Sequence, residues 1–264
     1  MNLLALYVDR TRFELRTLLR DRRTVMFSVI LPIFMLVIFG SVFHMTIPNT
    51  HVKFAQYFVA GLLASGLLYS AFQQLAIAIP EERFDGTLKR LIGSPMPQSV
   101  YFVGKLGVST FIYIFQAIAL LGLGHFLFDI HLPHSAALWL TFAWVSALGL
   151  ISSSLLGIAL SNYARDGRAA SAIAAPLVLY FQFTSGVYFV YTSLPMWMRS
   201  VSALFPLKWM AQAIRGVFLP SSFGRAEVAH SFEYARTAVV LGAWSVIALA
   251  LCVRTFRWLP KGEI

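Results

Sequence analysis

Charge is scarce in this chain, and acid is scarcer than base. Of its 264 residues only 12% are charged, 11 of them Asp or Glu against 21 Lys or Arg, whereas a soluble domain carries about 25%. With 58% hydrophobic residues and a mean hydropathy of +0.73, the composition excludes an ordinary water-soluble fold and indicates an integral membrane protein. The formal charge of +10 does not call for nucleic acid as a partner. Lys and Arg of a membrane protein collect in cytoplasmic loops, where they meet anionic lipid headgroups. Cysteine is nearly absent: Cys252 stands alone, so no intrachain disulfide forms. Catalytic signatures are missing too. There is no H-E-x-x-H, no G-x-S-x-G and no cysteine cluster. The pair Gly104-Lys105 is followed by Leu106 where a phosphate loop needs Ser or Thr, and Ser99 stands where its first glycine belongs. No catalytic, metal or cofactor site is expected of the chain itself.

What is present is a series of apolar runs. A span needs about 20 apolar residues, and six runs qualify: 24–43, 54–79, 102–128, 137–160, 169–190 and 237–253. The first starts after a long segment of mixed charge and has the length of a full span, so it reads as an anchor and not a cleaved signal peptide. Pro32 and Pro176 fall inside spans one and five, where neighbouring helices can satisfy the freed carbonyls. With the N-terminus in the cytoplasm, fifteen Lys and Arg lie inside and six outside, which favours both termini inside. Five of those six sit between spans five and six, four of them in the outer segment 190–235 and Arg236 directly after it. That segment holds Trp197, Phe205, Trp209, Phe218 and Phe223, rings that favour the headgroup region, so short helices dipping into the outer leaflet are expected there. The expected fold is an all-α membrane protein.

Two polar elements stand out on the cytoplasmic side. Residues 1–23 form an amphipathic pattern with Leu4, Tyr7, Val8, Thr11, Leu15, Leu18 and Leu19 on one side. Asp9, Arg10, Arg12, Arg16 and Arg20 lie on the other, with Phe13 an exception. This is the signature of a helix lying in the membrane interface, with arginines placed to hold lipid phosphates. The segment 81–95 has the chemistry of a short cytoplasmic helix. Asp85 is the expected N-cap, and Leu88, Leu91 and Ile92 the apolar face. Gly93 is expected in the left-handed position that closes the helix, ahead of Pro95. An amphipathic helix between two spans needs a binding partner, and another protein is the expected one. Leu88, Leu91 and Ile92 would supply its apolar contact, with Glu81, Glu82, Lys89 and Arg90 as polar rim.

Within the spans, Gln73, Gln74, Gln116 and Gln182 are the polar residues of note. A self-powered carrier usually keeps a buried carboxylate or histidine to carry its coupling charge. None is evident, so energy would enter from outside the chain. The six histidines (His44, His51, His125, His131, His134 and His230) lie outside or near the outer face, as polar residues at a water boundary.

The chain resembles the ABC-2 type permeases, the membrane subunits of bacterial ATP-binding-cassette exporters, with the drug-efflux and daunorubicin-resistance-like branch nearest. Three places carry the likeness: Glu82, Arg83, Gly86, Thr87, Leu88, Leu91 and Pro95 after span two; Gly104-Lys105 opening span three; and Pro195, Trp197, Pro206, Leu207 and Arg215 in the outer segment. The likeness implies a permease of the bacterial cell membrane that exports an amphipathic, drug-like or lipid-like substrate. Residues 24–258 would be the transmembrane domain and 259–264 a cytoplasmic tail. Segment 81–95 would be the coupling helix on a separate ATPase present in two copies, with ATP and Mg held there. The N-terminal helix would support that contact. A second permease subunit would pair with this one, spans two and five lining the path. Gln73, Gln74, Tyr180, Gln182 and Phe183 are the candidates for touching substrate. The rival readings are an ion-coupled secondary carrier and a non-transport membrane scaffold or lipid-modifying enzyme.

Overall fold

A computed structural model describes residues 3–20, 22–48 and 50–258. The cytoplasmic tail expected at 259–264 and the first two residues of the N-terminal helix lie outside the described residues. Among the described residues the chain is helical, apart from turns, loops and an isolated bridge between Thr46 and Lys53. Helix α1 spans Leu3–Arg20 and α2 Arg22–Val42. Helix α3 (Phe54–Leu67), a π-helical turn (Leu68–Gln73) and α4 (Gln74–Phe84) run on as one 31-residue helix. The short α5 covers Thr87–Ile92, then come α6 (Gln98–Phe128), α7 (Ala136–Leu160) and α8 (Gly167–Thr184). Two short helices, α9 (Met196–Ser202) and α10 (Pro206–Phe218), precede α11 (Tyr234–Thr255).

Four of these are long and apolar enough to cross a membrane: Phe54–Phe84, Gln98–Phe128, Ala136–Leu160 and Tyr234–Thr255; a shorter apolar stretch is Val29–Val42. Helix α8 ends earlier than its apolar run suggests. The run continues to Val190, but Gly186 takes a left-handed φ of 77°, and the chain turns back through a 3-10 turn at Tyr191–Ser193. The prolines are accommodated as expected, with Pro32, Pro80 and Pro176 all inside helices.

Helix α10 is one of the short helices expected in this segment, and protein covers it on every side: all thirteen of its residues are buried. It packs against α3 and α7, and Leu207, Met210, Ala211, Ile214 and Val217 join the main core. Its cations are buried with it, each with a carboxylate partner. Arg215 is 0% exposed. Its Nε donates to Glu227 Oε1 at 2.7 Å and its Nη1 to the Gly186 carbonyl at 3.4 Å. The guanidinium lies 5.0 Å from the centre of the Tyr57 ring. The Tyr57 hydroxyl in turn accepts from Tyr191 N–H at 3.0 Å. Lys208 lies 3.9 Å from Glu233 and 3.4 Å from the centre of the Trp209 ring. Gln212 donates to the Ser231 carbonyl and to Glu233. These pairings account for two of the cations of this segment, Lys208 and Arg215, which are fixed inside the fold by acids that follow them in sequence.

Arg215→Met leaves the nearly buried Glu227 without its counter-charge, a loss of about 3–5 kcal/mol. The expected result is a marked fall in the thermal midpoint of the detergent-solubilised protein, with partial recovery when Glu227→Gln is added. The pH dependence has a definite sign at Lys208. Burial, opposed by Glu233, pushes its ammonium from 10.5 down to about 8. Between those values the unfolded chain holds a proton that the folded chain releases, so stability rises with pH across that window. Thermal midpoints taken from pH 8 to 10.5 should show this rise, and Lys208→Met should flatten it.

Candidate functional site

The inner end of the bundle is organised around Lys105. It projects from the first turns of α6 and is only 6% exposed. A buried ammonium is costly unless it is paired and hydrogen-bonded, and here two carboxylates from two other elements meet it. Glu14 of α1 approaches through Oε2 at 2.8 Å. Glu82, in the last turn of α4, closes on it through Oε1. The remaining oxygens are also used. Glu14 Oε1 pairs with Arg10 one turn back on α1, and Glu82 Oε2 accepts from the Tyr101 hydroxyl at 2.7 Å. Two cations and two anions thus cancel, and all four carboxylate oxygens have donors.

This network re-sorts the N-terminal helix. Its inward face is Tyr7, Arg10, Thr11, Glu14, Leu15 and Leu18, packed on α6. Tyr7 bonds Ser99 at 3.0 Å, and Leu15 and Leu18 cluster with Val108 and Ile112. Leu4, Val8, Phe13 and Leu19 remain exposed, as expected of a helix in the interface. Arg10 therefore belongs to the packed side and not to the outward one. Glu14 escaped the sequence reading altogether; its signal was an acid four residues after Arg10, at the border of the apolar stripe.

The segment 81–95 divides at a turn. Glu81, Glu82, Arg83 and Phe84 complete α4, and α5 starts at Thr87. Gly86 between them has φ 77°, a conformation that side chains with a Cβ rarely adopt. Asp85 caps as expected but from one position earlier, its Oδ1 accepting from Thr87 N–H at 2.8 Å. Gly93 is right-handed, with φ −71°, so the left-handed glycine of this segment is Gly86 at its start. Thr87 Oγ1 accepts from Arg90 at 3.1 Å.

The apolar face of α5 points into the protein. Leu88 is 0% exposed and packs with Leu75, Ile79, Tyr101 and Ile158, with Leu91 half-buried beside it. Arg83 is buried as well. It donates to the Ser161 carbonyl at 3.0 Å and to Asn162 Oδ1 at 3.3 Å, tying the end of α4 to the end of α7. Leu88, Leu91 and Arg83 thus do not form an outward contact face. What this turn presents to solvent is Phe84, 72% exposed, with Asp85, Lys89, Arg90 and Ile92. Phe84 was passed over in the sequence because its spacing does not match the Leu88–Leu91–Ile92 stripe.

Two cavities lie behind this end. The inner one, of 580 Å³, is bordered by Glu14, Glu81, Glu82, Asp85 and Lys105, and reaches up to Tyr69, Gln73 and Gln74. The second, of 320 Å³, lies deeper, between α2, α3, α6 and α8, and includes Gln73, Gln116 and Gln182. Tyr69 and Gln73 border both. Both residues belong to the π-helical turn, a feature that recurs at functional sites and that no proline or glycine signals in Leu68–Gln73. Among the sequence candidates, Gln73 and Gln182 are brought together. Gln74 borders the inner cavity, 3.5 Å from the Ser109 hydroxyl. Tyr180 and Phe183 line neither cavity and are largely exposed on α8. Gln116 is 1% exposed, and neither its Nε2 nor its Oε1 has a hydrogen-bonding partner among the described residues. Such a group costs about 1–3 kcal/mol. Of the histidines, His125, His131 and His230 each donate from Nδ1, to the Ile130 carbonyl, Gln56 Oε1 and the Arg225 carbonyl.

Comparison with known proteins agrees with this architecture. The inner membrane transport permease YadH of Escherichia coli (strain K12) is 23% identical over 184 residues, 69% of this chain and 70% of that protein. A protein named "Probable multidrug ABC transporter permease YbhR" from the same organism is 22% identical over 172 residues, 65% of this chain and 46% of its own length. The family description "ABC-2 type transporter" matches residues 10–219, from within the amphipathic helix α1 to the end of the buried α10. The chain belongs to the ABC-2 type transporter family and is a multi-pass membrane transport permease.

Proposed function

We propose that the chain is the membrane subunit of an exporter powered by a separate ATP-binding-cassette ATPase, and that it moves an amphipathic, drug-like or lipid-like substrate. Two permease subunits pair, two ATPase subunits dock from the cytoplasm, and ATP and Mg bind there. Six helices cross the membrane: α2, the α3–α4 helix, α6, α7, α8 and α11. Both termini lie on the cytoplasmic side, in keeping with the excess of Lys and Arg there.

The observation that carries this reading is the position of the Lys105 network directly behind the α4–α5 turn. Phe84 and Ile92 offer an apolar contact and Lys89 and Arg90 a basic one, on a turn whose other residues are anchored in the bundle. Force applied to Phe84 reaches Glu82 two residues away. Through Lys105 it passes to α6 and, through Glu14, to α1. The coupling element is therefore the exposed turn together with its buried ion network. Glu82, Arg83, Gly86, Thr87 and Leu88 hold its shape, and Phe84, Lys89, Arg90 and Ile92 make the contact. The multidrug designation of YbhR agrees with an amphipathic cargo.

Phe84→Asp, alone or with Arg90→Glu, should weaken co-purification of the ATPase at least about tenfold, as expected for an exposed aromatic anchor. The permease itself should elute and melt as the parent does. Leu88→Asp is expected to fail differently, by placing a charge in a sealed apolar cluster and lowering the melting temperature. A second experiment separates pairing from stability. Lys105→Met alone strands Glu82, Glu14 keeping its Arg10 partner, and destabilises the inner end by about 3–5 kcal/mol. The double variant Glu82→Gln, Lys105→Met, which leaves the Arg10–Glu14 pair in place, restores most of the melting temperature but leaves export at least tenfold below ATP hydrolysis in reconstituted vesicles. Transport by the chain alone, driven by an ion gradient without any ATPase, would overturn the proposal.

A further inference from the structure

Gln116 opens onto the deeper cavity with a carboxamide that no protein group satisfies. Its place is made by Gly66, where a Cβ would stand 2.7 Å from Gln116 Nε2. The side chain is therefore seated against α3 and not free to swing across it. Counting from Phe128 at 1.5 Å per residue, it lies about 18 Å from the outer end of α6, in the apolar middle of that helix. The walls of the cavity are apolar, with Leu62 and Val178 among them, and its polar groups are the side chains of Ser65, Tyr69, Gln73, Gln116, Gln182 and Tyr188. Tyr188 already donates to Gln182 Oε1 at 3.0 Å. Among the described residues, no Asp, Glu, Lys, Arg or His borders it.

We infer that this cavity is a ligand site within a single subunit, in which Gln116 receives an uncharged group that both donates and accepts hydrogen bonds, such as a hydroxyl or an amide, carried on an apolar body. The inference rests on the export reading for its purpose and names the class of cargo. A charged headgroup is disfavoured, because a charge at this depth needs a counter-charge and the lining offers none. A wholly apolar ligand would leave the carboxamide as it is, whereas a hydroxyl or amide engages both its donor and its acceptor. The volume of 320 Å³ lies at the small end of the range for ligand pockets, enough for one end of an amphiphile. The route in runs from the inner cavity past Tyr69 and Gln73, the two residues shared by both cavities.

The test is photolabelling of the full chain in lipid nanodiscs with a diazirine-bearing octanol and with the carboxylic acid of the same chain length. The alcohol should label the segments around Leu62–Gln73 and Val178–Tyr188 saturably, and the acid at least about tenfold less. Gln116→Leu removes the two hydrogen bonds and should cut saturable labelling by about five- to thirtyfold, while the ligand-free protein melts no lower than the parent. Gln182→Leu, at a half-buried position, should reduce labelling to a lesser extent. Equal labelling of the Gln116 variant, equal labelling by the acid, or a Gln116→Leu protein that melts lower or fails to fold would each overturn the inference; the last outcome would make the carboxamide structural. Labelling requires neither ATPase nor transport. Its failure beside intact coupling by the Phe84 turn would remove this site alone, and saturable labelling of a chain that co-purifies with no ATPase from its own cells would remove the export reading alone.

Discussion

Lys105 is the charge on which the α1–α4–α6 end of the bundle depends. Alone, an ammonium buried at the start of α6 would cost several kcal/mol, and the helix could not keep it there. Glu14 and Glu82 make that burial tolerable, and in doing so they help to fix two elements, α1 and the last turn of α4, against α6. Helix α1 carries too many charges to enter the core and packs one face on α6; the Glu14 contact helps to set its rotation and its register along α6. The last turn of α4 would otherwise fray beyond Pro80, since a proline interrupts the hydrogen-bond ladder; Glu82 and Arg83 hold it from two sides. The sharp turn at Gly86 and the short α5 follow from that fixed end.

The outer half solves a similar problem with a different partner order. Helix α10 is amphipathic by sequence but buried all round, which is possible only because its polar face meets polar groups that the chain supplies later. Glu227 and Glu233 follow α10 and return over it. Arg215 also uses the Tyr57 ring and the Gly186 carbonyl, so α3, the turn after α8 and α10 are fastened at a single guanidinium. Arginine suits this place because its planar head can bond a carboxylate and a carbonyl while stacking on an aromatic face.

The sequence made these two ends unequally legible. Apolar period and length were enough to locate the helices, because lipid permits few alternatives to a helix. The amphipathic α1 and the break at 85–86 were visible from local pattern. The partners were not, since Glu14 and Lys105 lie 91 residues apart and nothing in either neighbourhood specifies the other. The stripe Leu88–Leu91–Ile92 was visible, but a stripe does not say whether it faces a partner protein or its own core, and the core claimed Leu88 and most of Leu91. Helix α10 misled for the opposite reason: its Lys208, Gln212 and Arg215 look like groups bound for water until the acids that follow are folded over them. The π-helical turn left no trace in Leu68–Gln73, because its extra residue is accommodated by packing and not by a special residue type.

Polarity in this chain is graded by depth. Full charges occur at the two ends, and Lys105 and Arg215, both buried, are matched with charges of opposite sign, Lys105 with Glu14 and Glu82 and Arg215 with Glu227, while the buried Arg83 is held by the Ser161 carbonyl and the Asn162 amide oxygen. Between them, the side chains of note are carboxamides: Gln73, Gln116 and Gln182. The ordering follows the cost of polar groups in hydrocarbon. An ion in the middle would need a partner held there permanently, whereas a carboxamide can be left open at a smaller cost. Permanent pairs make permanent structure, and both ends have it. An open carboxamide can exchange partners. If the proposed ligand site is occupied, a molecule held in the middle of the bundle could leave again without breaking a bond that the fold itself needs.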